Sequence, residues 1–297
     1  MAPGPTAGRF RKFPMQKHLT ELCDTMGDVT SSPYPPFDGV EPYGTVRSIA
    51  EERAHRKRMC ALGYRIFGAM RWGMLGDGHI SARDPEFTDH FWLLDWGVPF
   101  GAATVHQLVL VGPGGEVKDA DGISTGAVNT AGYNIHHPLL AARPDVVSAS
   151  HTHTAFGTPW SANVEPFRAL SQEACAFVFD QALFDNEEVE VLSIDGGRRI
   201  AAALGNKKFC ILRNHGLLTV GRSVEESVGW FVMAERVAEV HVKAPNAQPI
   251  SDEAAAAAAS KFACASACAC TASTAALRDG LTARAGARAA GVSALGW

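Results

Sequence analysis

Residues 144–156 read "PDVVSASHTHTAF". In an extended strand, residues i and i+2 face the same way. Val147, Ala149, His151 and His153 therefore share one face, and Ser148, Ser150 and Thr152 share the other. The first face starts apolar and ends in two imidazoles at the C-terminal end of the strand, where α/β proteins usually place their chemistry. Imidazoles at i and i+2 can both reach one metal ion, at about 2.0–2.1 Å for zinc. The plainer alternative is a pair of hydrogen-bonded surface histidines at a strand end.

A second stretch strengthens the metal reading. "ILRNHGLLTVG", residues 211–221, puts His215 in a turn between two apolar strands, and Asn214 and Gly216 tolerate the unusual backbone angles of such a turn. Its imidazole at the same sheet rim completes a set of three. Three protein ligands with further positions open is the pattern of a catalytic metal rather than a structural one.

Working outward, the order of elements emerges. "SIAEERAHRKRMCALGYRIFGAMRW" from Ser48 has an N-capping serine and early acids, with Met59, Leu62, Ile66, Phe67 and Met70 at helical spacing. "GHISARD", "HFWLLDW" and "HQLVLVG" read as strands, and "GPGGEV" as a hairpin turn into another. "AGYNIHHPLLAARPD" reads as a helix stopped near Pro144, and "PFRALSQEACAFVFD", residues 166–180, as another. "GGRRIAAALGN" is a short helix with a glycine stop. "SVEESVGWFVMAERVAEVHVKA" is a long helix with Ser223 as N-cap and Glu226 three residues on. Helices and strands alternate without a strict βαβ rhythm, which predicts an α/β or α+β sandwich in three layers.

Residues 1–47 read as a Pro- and Gly-rich irregular arm, 48–245 as the folded domain, and 246–297 as an Ala-rich tail with few large apolar residues to bury. The formal net charge is −4 and the charges are interspersed, which excludes a basic nucleic-acid or membrane-surface patch. No apolar run approaches the roughly 20 residues of a membrane helix, and "MAPGPTAGRFRKFP" lacks the apolar core of a secretory signal. Cys23, Cys60, Cys175 and Cys210 are scattered, as reduced thiols in a cytoplasmic protein would be. Cys264, Cys268 and Cys270 lack the paired spacing of zinc modules.

"ARPDVVSASHTHTAFGTPWS" followed by "LRNHGLLTVG" resembles the class II aldolase/adducin family, and "GHISARDP", "FWLLDWG" and the helix "SVEESVGWFVMAERVAEVH" match it too. The resemblance implies a central, mainly antiparallel sheet with helices on both faces. It implies His151, His153 and His215 as ligands of a divalent ion, zinc first, with manganese, cobalt and iron as alternatives. It further implies a homotetramer with active sites at subunit boundaries. The family includes sugar-phosphate aldolases, an epimerase, metal-dependent decarboxylases and the non-enzymatic adducins.

Against the sugar-phosphate aldolases, the chain departs at the base. Their catalytic Glu lies four residues before a His at the start of the helix that precedes H-x-H. Here that His matches His136, and the Glu position holds Gly132. The family's early Gly-Asn of the phosphate cradle reads Gly78-His79, and its hydroxyl pair reads Thr130-Ala131. Fewer small donors weaken a phosphate site. The expectation is a small, non-phosphorylated hydroxy- or keto-carboxylate substrate cleaved at a C–C bond, by retro-aldol cleavage or decarboxylation, through a metal-stabilised enolate. His136 is the first candidate for handling the proton, then His137 and Tyr133. His79, Thr130 and Asn134 are expected to contact substrate. Glu165, Glu173 and Asp180 are possible partners of a ligand histidine. The competing readings are an adducin-like binding protein, supported by the missing Glu and opposed by the intact histidines, and an epimerase.

Overall fold

The computed structural model describes residues 45–73, 76–118, 126–186 and 190–262. The N-terminal arm up to residue 44 and the cysteines of the tail lie outside the described residues. Each major helix starts where a small polar residue satisfies its first N–H groups. Ser48 forms a capping box with Glu51 at the head of α1, Ile49–Ala69. Asn129 caps α2, Thr130–Ala142, and a one-turn helix α3 spans Gly157–Ser161. Ser193 caps α4, Ile194–Leu204, and Ser223 caps α5, Val224–Lys243. The expected capping box at α5 is displaced by one residue: the Glu226 carboxylate accepts from the Arg222 N–H.

The strands are β1 (Gly78–Arg83), β2 (Phe91–Leu94), β3 (Leu108–Val111), β4 (Val117–Lys118), β5 (Ser148–Thr152), β6 (Gln181–Phe184), β7 (Phe209–Leu212) and β8 (Gly216–Gly221). They form one eight-stranded sheet in the order β4-β3-β2-β1-β5-β8-β7-β6. Every pairing is antiparallel except β6 with β7.

Strand alternation divides the core into two layers, one on each face. Ile80, Ala82, Trp92, Leu94 and Leu217 pack with Tyr64 and Phe67 of α1 and Phe231 of α5. Phe91, Leu93, Ala149, Leu218 and Val220 pack with Ile135 and Leu139 of α2 and Ile200 of α4. The expected three-layer sandwich is therefore the observed one. The Tyr64 hydroxyl reaches from α1 to accept from the Ile80 N–H and donate to the Ile80 carbonyl, which fixes β1 beside the site described below.

Two expectations need correction. Residues 166–180 are not a helix: only Glu173–Ala176 form a 3-10 turn, and β6 follows directly. The segment is held instead by long-range bonds. Gln181 bonds both the N–H and the carbonyl of Phe167, and the Arg168 N–H donates to His241 Nε2. The start of the tail also docks. The Ile250 N–H donates to the Ala169 carbonyl, residues 252–262 are helical, and Ala255 is buried against Ala169 and Cys175. Among the described residues no helix is long and apolar enough to cross a membrane.

Candidate metal centre

The register of the sheet assembles the site. His79 on β1 sits directly opposite His151 on β5. His153 leaves the end of β5, and its N–H donates to the Asp77 carbonyl at 3.1 Å. His215 comes from the turn between β7 and β8. Asn214 there adopts φ 54°, left-handed backbone that asparagine tolerates. Gly216 follows at φ 156°, backbone that residues with a side chain rarely adopt, and it lies beside the His151 ring.

The ligand atoms of His151, His153 and His215 all lie within 4.8 Å of one another. Their ring centroids are 4.7 to 5.5 Å apart. Zinc bonds of about 2.0–2.1 Å in a tetrahedron place nitrogens about 3.3 Å apart, so the three rings would turn inward to share one ion.

The donor chemistry fits a divalent ion. His151 Nδ1–H donates to the Leu217 carbonyl at 2.8 Å, which fixes the tautomer and leaves Nε2 as its ligand atom. His215 Nδ1 is buried without a hydrogen-bond partner. Asp77 Oδ2 lies 3.6 Å from His153 Nδ1, a carboxylate beside the most exposed ring of the three. Burial holds His151 well below the usual imidazole range and pushes His215 down to about 4, and neighbouring histidines add to both. Neutral imidazole is the form that ligates.

A second pair of histidines adjoins the three. The His79 ring centroid lies 5.0 Å from that of His151. His79 Nδ1 is 2.7 Å from Nε2 of His136, which projects from α2 and is fully buried. Burial, with His151 nearby, pushes His136 down to about 3. A Cβ at Gly132 would come within 3.0 Å of the His79 ring. The side-chain space at position 132 is therefore taken by an imidazole from the neighbouring strand.

The other expected residues stand elsewhere. Tyr133 donates its hydroxyl to the Pro113 carbonyl and stacks on half-buried His137. Asn134 Nδ2 donates to the Val191 carbonyl, tying α2 to the segment before α4. Thr130 is exposed in the first turn of α2. Among the described residues no hydrogen bond or ring contact joins these four to the three ligand histidines. Asp180 pairs with Lys208 and Glu173 with Arg236, while Glu165 is exposed.

Two carboxylates near the site went unrecognised in the sequence. Asp77 stands far from H-x-H in the chain, and nothing in its local pattern announces it. Glu235 carries a signal: it lies one helical turn after Phe231 on the buried face of α5. It accepts from the Thr154 hydroxyl and from the N–H groups of Phe156 and Gly157, pinning the loop that follows His153. Burial raises its pKa despite these donors.

The sandwich carries at its rim a set of imidazoles that could hold a divalent ion. Residues 57–242 match the model of the class II aldolase and adducin N-terminal domain. A 4-hydroxy-3-prenylphenylpyruvate oxygenase/4-hydroxy-3-prenylbenzoate synthase of Streptomyces roseochromogenus subsp. oscitans is 36% identical over 212 residues, covering 70% of this chain and 76% of its own. Decarboxylase NovR of Streptomyces niveus is 36% identical over 198 residues, covering 66% of this chain and 72% of its own. Among solved structures, the L-fuculose 1-phosphate aldolase from Glaciozyma antarctica PI12 superposes with TM-score 0.67 at 33% identity, over 81% of this chain and 96% of that one. The chain belongs to the class II aldolase and adducin family. Together the fold, the three histidines and the named relatives support a metal-dependent lyase.

Proposed function

We propose that the protein cleaves a C–C bond of a small, non-phosphorylated keto- or hydroxy-carboxylate, with loss of carbon dioxide as the favoured outcome. One observation carries this reading. The three ligand histidines are intact, yet position 132, where the sugar-phosphate aldolases place their carboxylate base, is a glycine covered by His79. Decarboxylation of a 3-oxo acid needs no base to open the reaction: the bond to the carboxylate breaks, carbon dioxide leaves, and the electron pair passes into the neighbouring carbonyl as an enolate. The decarboxylase and synthase names of two relatives support the same choice.

His151, His153 and His215 would hold the ion. A divalent cation held there would supply positive charge that offsets the negative charge developing on substrate oxygen as the C–C bond breaks. The Leu217 carbonyl keeps His151 Nε2 turned to the site, and Asp77 restrains His153. Glu235 keeps the 154–157 loop closed behind them. His79 lines the α2 side of the site, and His136 stands behind it. On this reading His79 keeps its expected contact with substrate, and His136 supports His79 rather than handling the proton itself. Tyr133, His137, Thr130 and Asn134 have no part in this reading.

The test joins elemental analysis to an assay of keto and hydroxy acids beside sugar phosphates. One divalent ion per chain is expected, with turnover on an acid and none on the phosphates. His151→Ala should lose both ion and turnover. Efficient cleavage of a sugar phosphate would overturn the substrate class. A homotetramer belongs to the same proposal, and sedimentation of the purified protein checks it.

A second reading has one observation behind it: a 36%-identical relative carries oxygenase in its name. On that reading dioxygen is a co-substrate. Equal turnover in anaerobic buffer supports the lyase, and strict dependence on dioxygen supports the oxygenase.

A further inference from the structure

We propose that His79 presents a fixed Nε2–H donor to a carboxylate or carbonyl oxygen of the substrate, and that His136 is the positioning residue that sets this tautomer. The proposal rests on the metal-site reading above and names the group that takes the place of the family's carboxylate.

Only one proton lies between His79 Nδ1 and His136 Nε2, which are 2.7 Å apart. Two arrangements of neutral rings are possible. In the first, His79 Nδ1–H donates. His136 must then carry its own proton on Nδ1, an atom that is buried and has no partner. In the second, His136 Nε2–H donates. His136 Nδ1 is then a bare lone pair, and the proton of His79 sits on Nε2. A buried N–H without an acceptor is the rarer defect of the two. The second arrangement is therefore favoured, and it makes His79 a donor at the one ring nitrogen that bonds no described residue.

Three further features point the same way. The ring is held: His79 is buried, its Nδ1 is taken, and it fills the space that the absent side chain of Gly132 leaves, where a Cβ would lie 3.0 Å from Cγ and Cδ2. It faces the site, since β1 and β5 set it directly across from His151. Its chemistry is also opposite to that of the group it displaces. An ionised carboxylate only accepts, and a neutral imidazole with its proton on Nε2 donates there. A substrate suited to this site offers an acceptor oxygen at that point, as a carboxylate or a ketone does. Such a donor supports charge on oxygen as it builds, and the role requires no change in the protonation of His79.

The proposal is tested on zinc-loaded protein labelled with ¹⁵N-histidine, with pyruvate as the probe. Long-range ¹H–¹⁵N correlation reads the tautomer of each ring directly. Both His79 and His136 are expected to carry their proton on Nε2. A proton on His79 Nδ1 overturns the proposal. Calorimetric binding of pyruvate gives the second readout. His79→Leu should weaken binding about tenfold or more, the size of one hydrogen bond to a charged group, with zinc content unchanged. His79→Gln places an amide N–H near the same point and should retain most of the affinity. His136→Gln should also retain it, because its amide still donates to His79 Nδ1, whereas His136→Leu should lose it. Equal binding by the wild type and His79→Leu, or by the Leu and Gln variants, overturns the donor role. Failure of the wild type to take up zinc would instead defeat the metal-site reading, and the tautomers, which do not depend on the ion, still decide the His79–His136 arrangement.

Discussion

His79, His136, His151 and His215 are imidazoles that burial keeps neutral. That state suits a metal and carries a cost in acid. An unfolded histidine takes its proton near pH 6.5. In the folded protein His215 waits until about 4 and His136 until about 3. Between those limits the unfolded chain binds more protons, so stability is fully present above about pH 6.5 and is lost as pH falls toward 4. Urea unfolding of metal-free protein should show a midpoint that is level between pH 8 and 7 and falls steadily below 6.5. A midpoint unchanged from pH 7 to 5 would show that these rings are not held neutral by the fold. The convergence of His151, His153 and His215 was legible in the sequence because strand alternation and a turn signature each fix a side chain's direction locally. His79 was legible only as an altered cradle position. That it covers Gly132 depends on the β1–β5 register and the placement of α2, which no local pattern specifies.

At the scale of elements, the loop after His153 is held by α5 through one residue. Removing the Glu235 carboxylate leaves the Thr154 hydroxyl and the N–H groups of Phe156 and Gly157 without their acceptor. Glu235→Ala should cost on the order of 2–4 kcal/mol in urea unfolding, the scale of several buried donors left unsatisfied. It should also weaken zinc binding about tenfold, as loss of an outer-shell support does. Unchanged zinc affinity with reduced stability would confine Glu235 to a structural role. The helices at 49–69, 130–142, 194–204 and 224–243 were legible because each has a polar cap followed by apolar residues at helical spacing. The stretch 166–180 has the same spacing in Phe167, Leu170, Ala174 and Phe177, and there the spacing misleads. Phe167 and Phe177 are drawn into the core beside Phe209 of β7, and backbone bonds to His241 and Gln181 replace a helical ladder. Tertiary packing decides that segment, and β6 at the sheet edge went unseen with it.

For the whole molecule, the boundary of the folded part lies further along the chain than composition indicates. Ile250, Ala255 and Phe262 carry the start of the tail onto the 169–178 segment. Truncation after Phe262 should leave the thermal midpoint unchanged. Truncation after Asn246 should lower it by about 2–4 °C, the shift expected for roughly 1 kcal/mol in a domain of this size. Equal midpoints for the two truncations would show that the docked helix contributes nothing. On the proposed reading, His151, His153 and His215 hold one divalent ion in a site without the aldolase carboxylate. X-ray absorption at the zinc edge tests it most directly. Zinc-loaded protein should show three imidazole nitrogens at about 2.0–2.1 Å with the remaining position filled by a light atom, and this shell should vanish in His151→Ala. Sulfur in the shell, fewer than three imidazoles, or a spectrum unchanged by His151→Ala would show that these three histidines do not hold the ion.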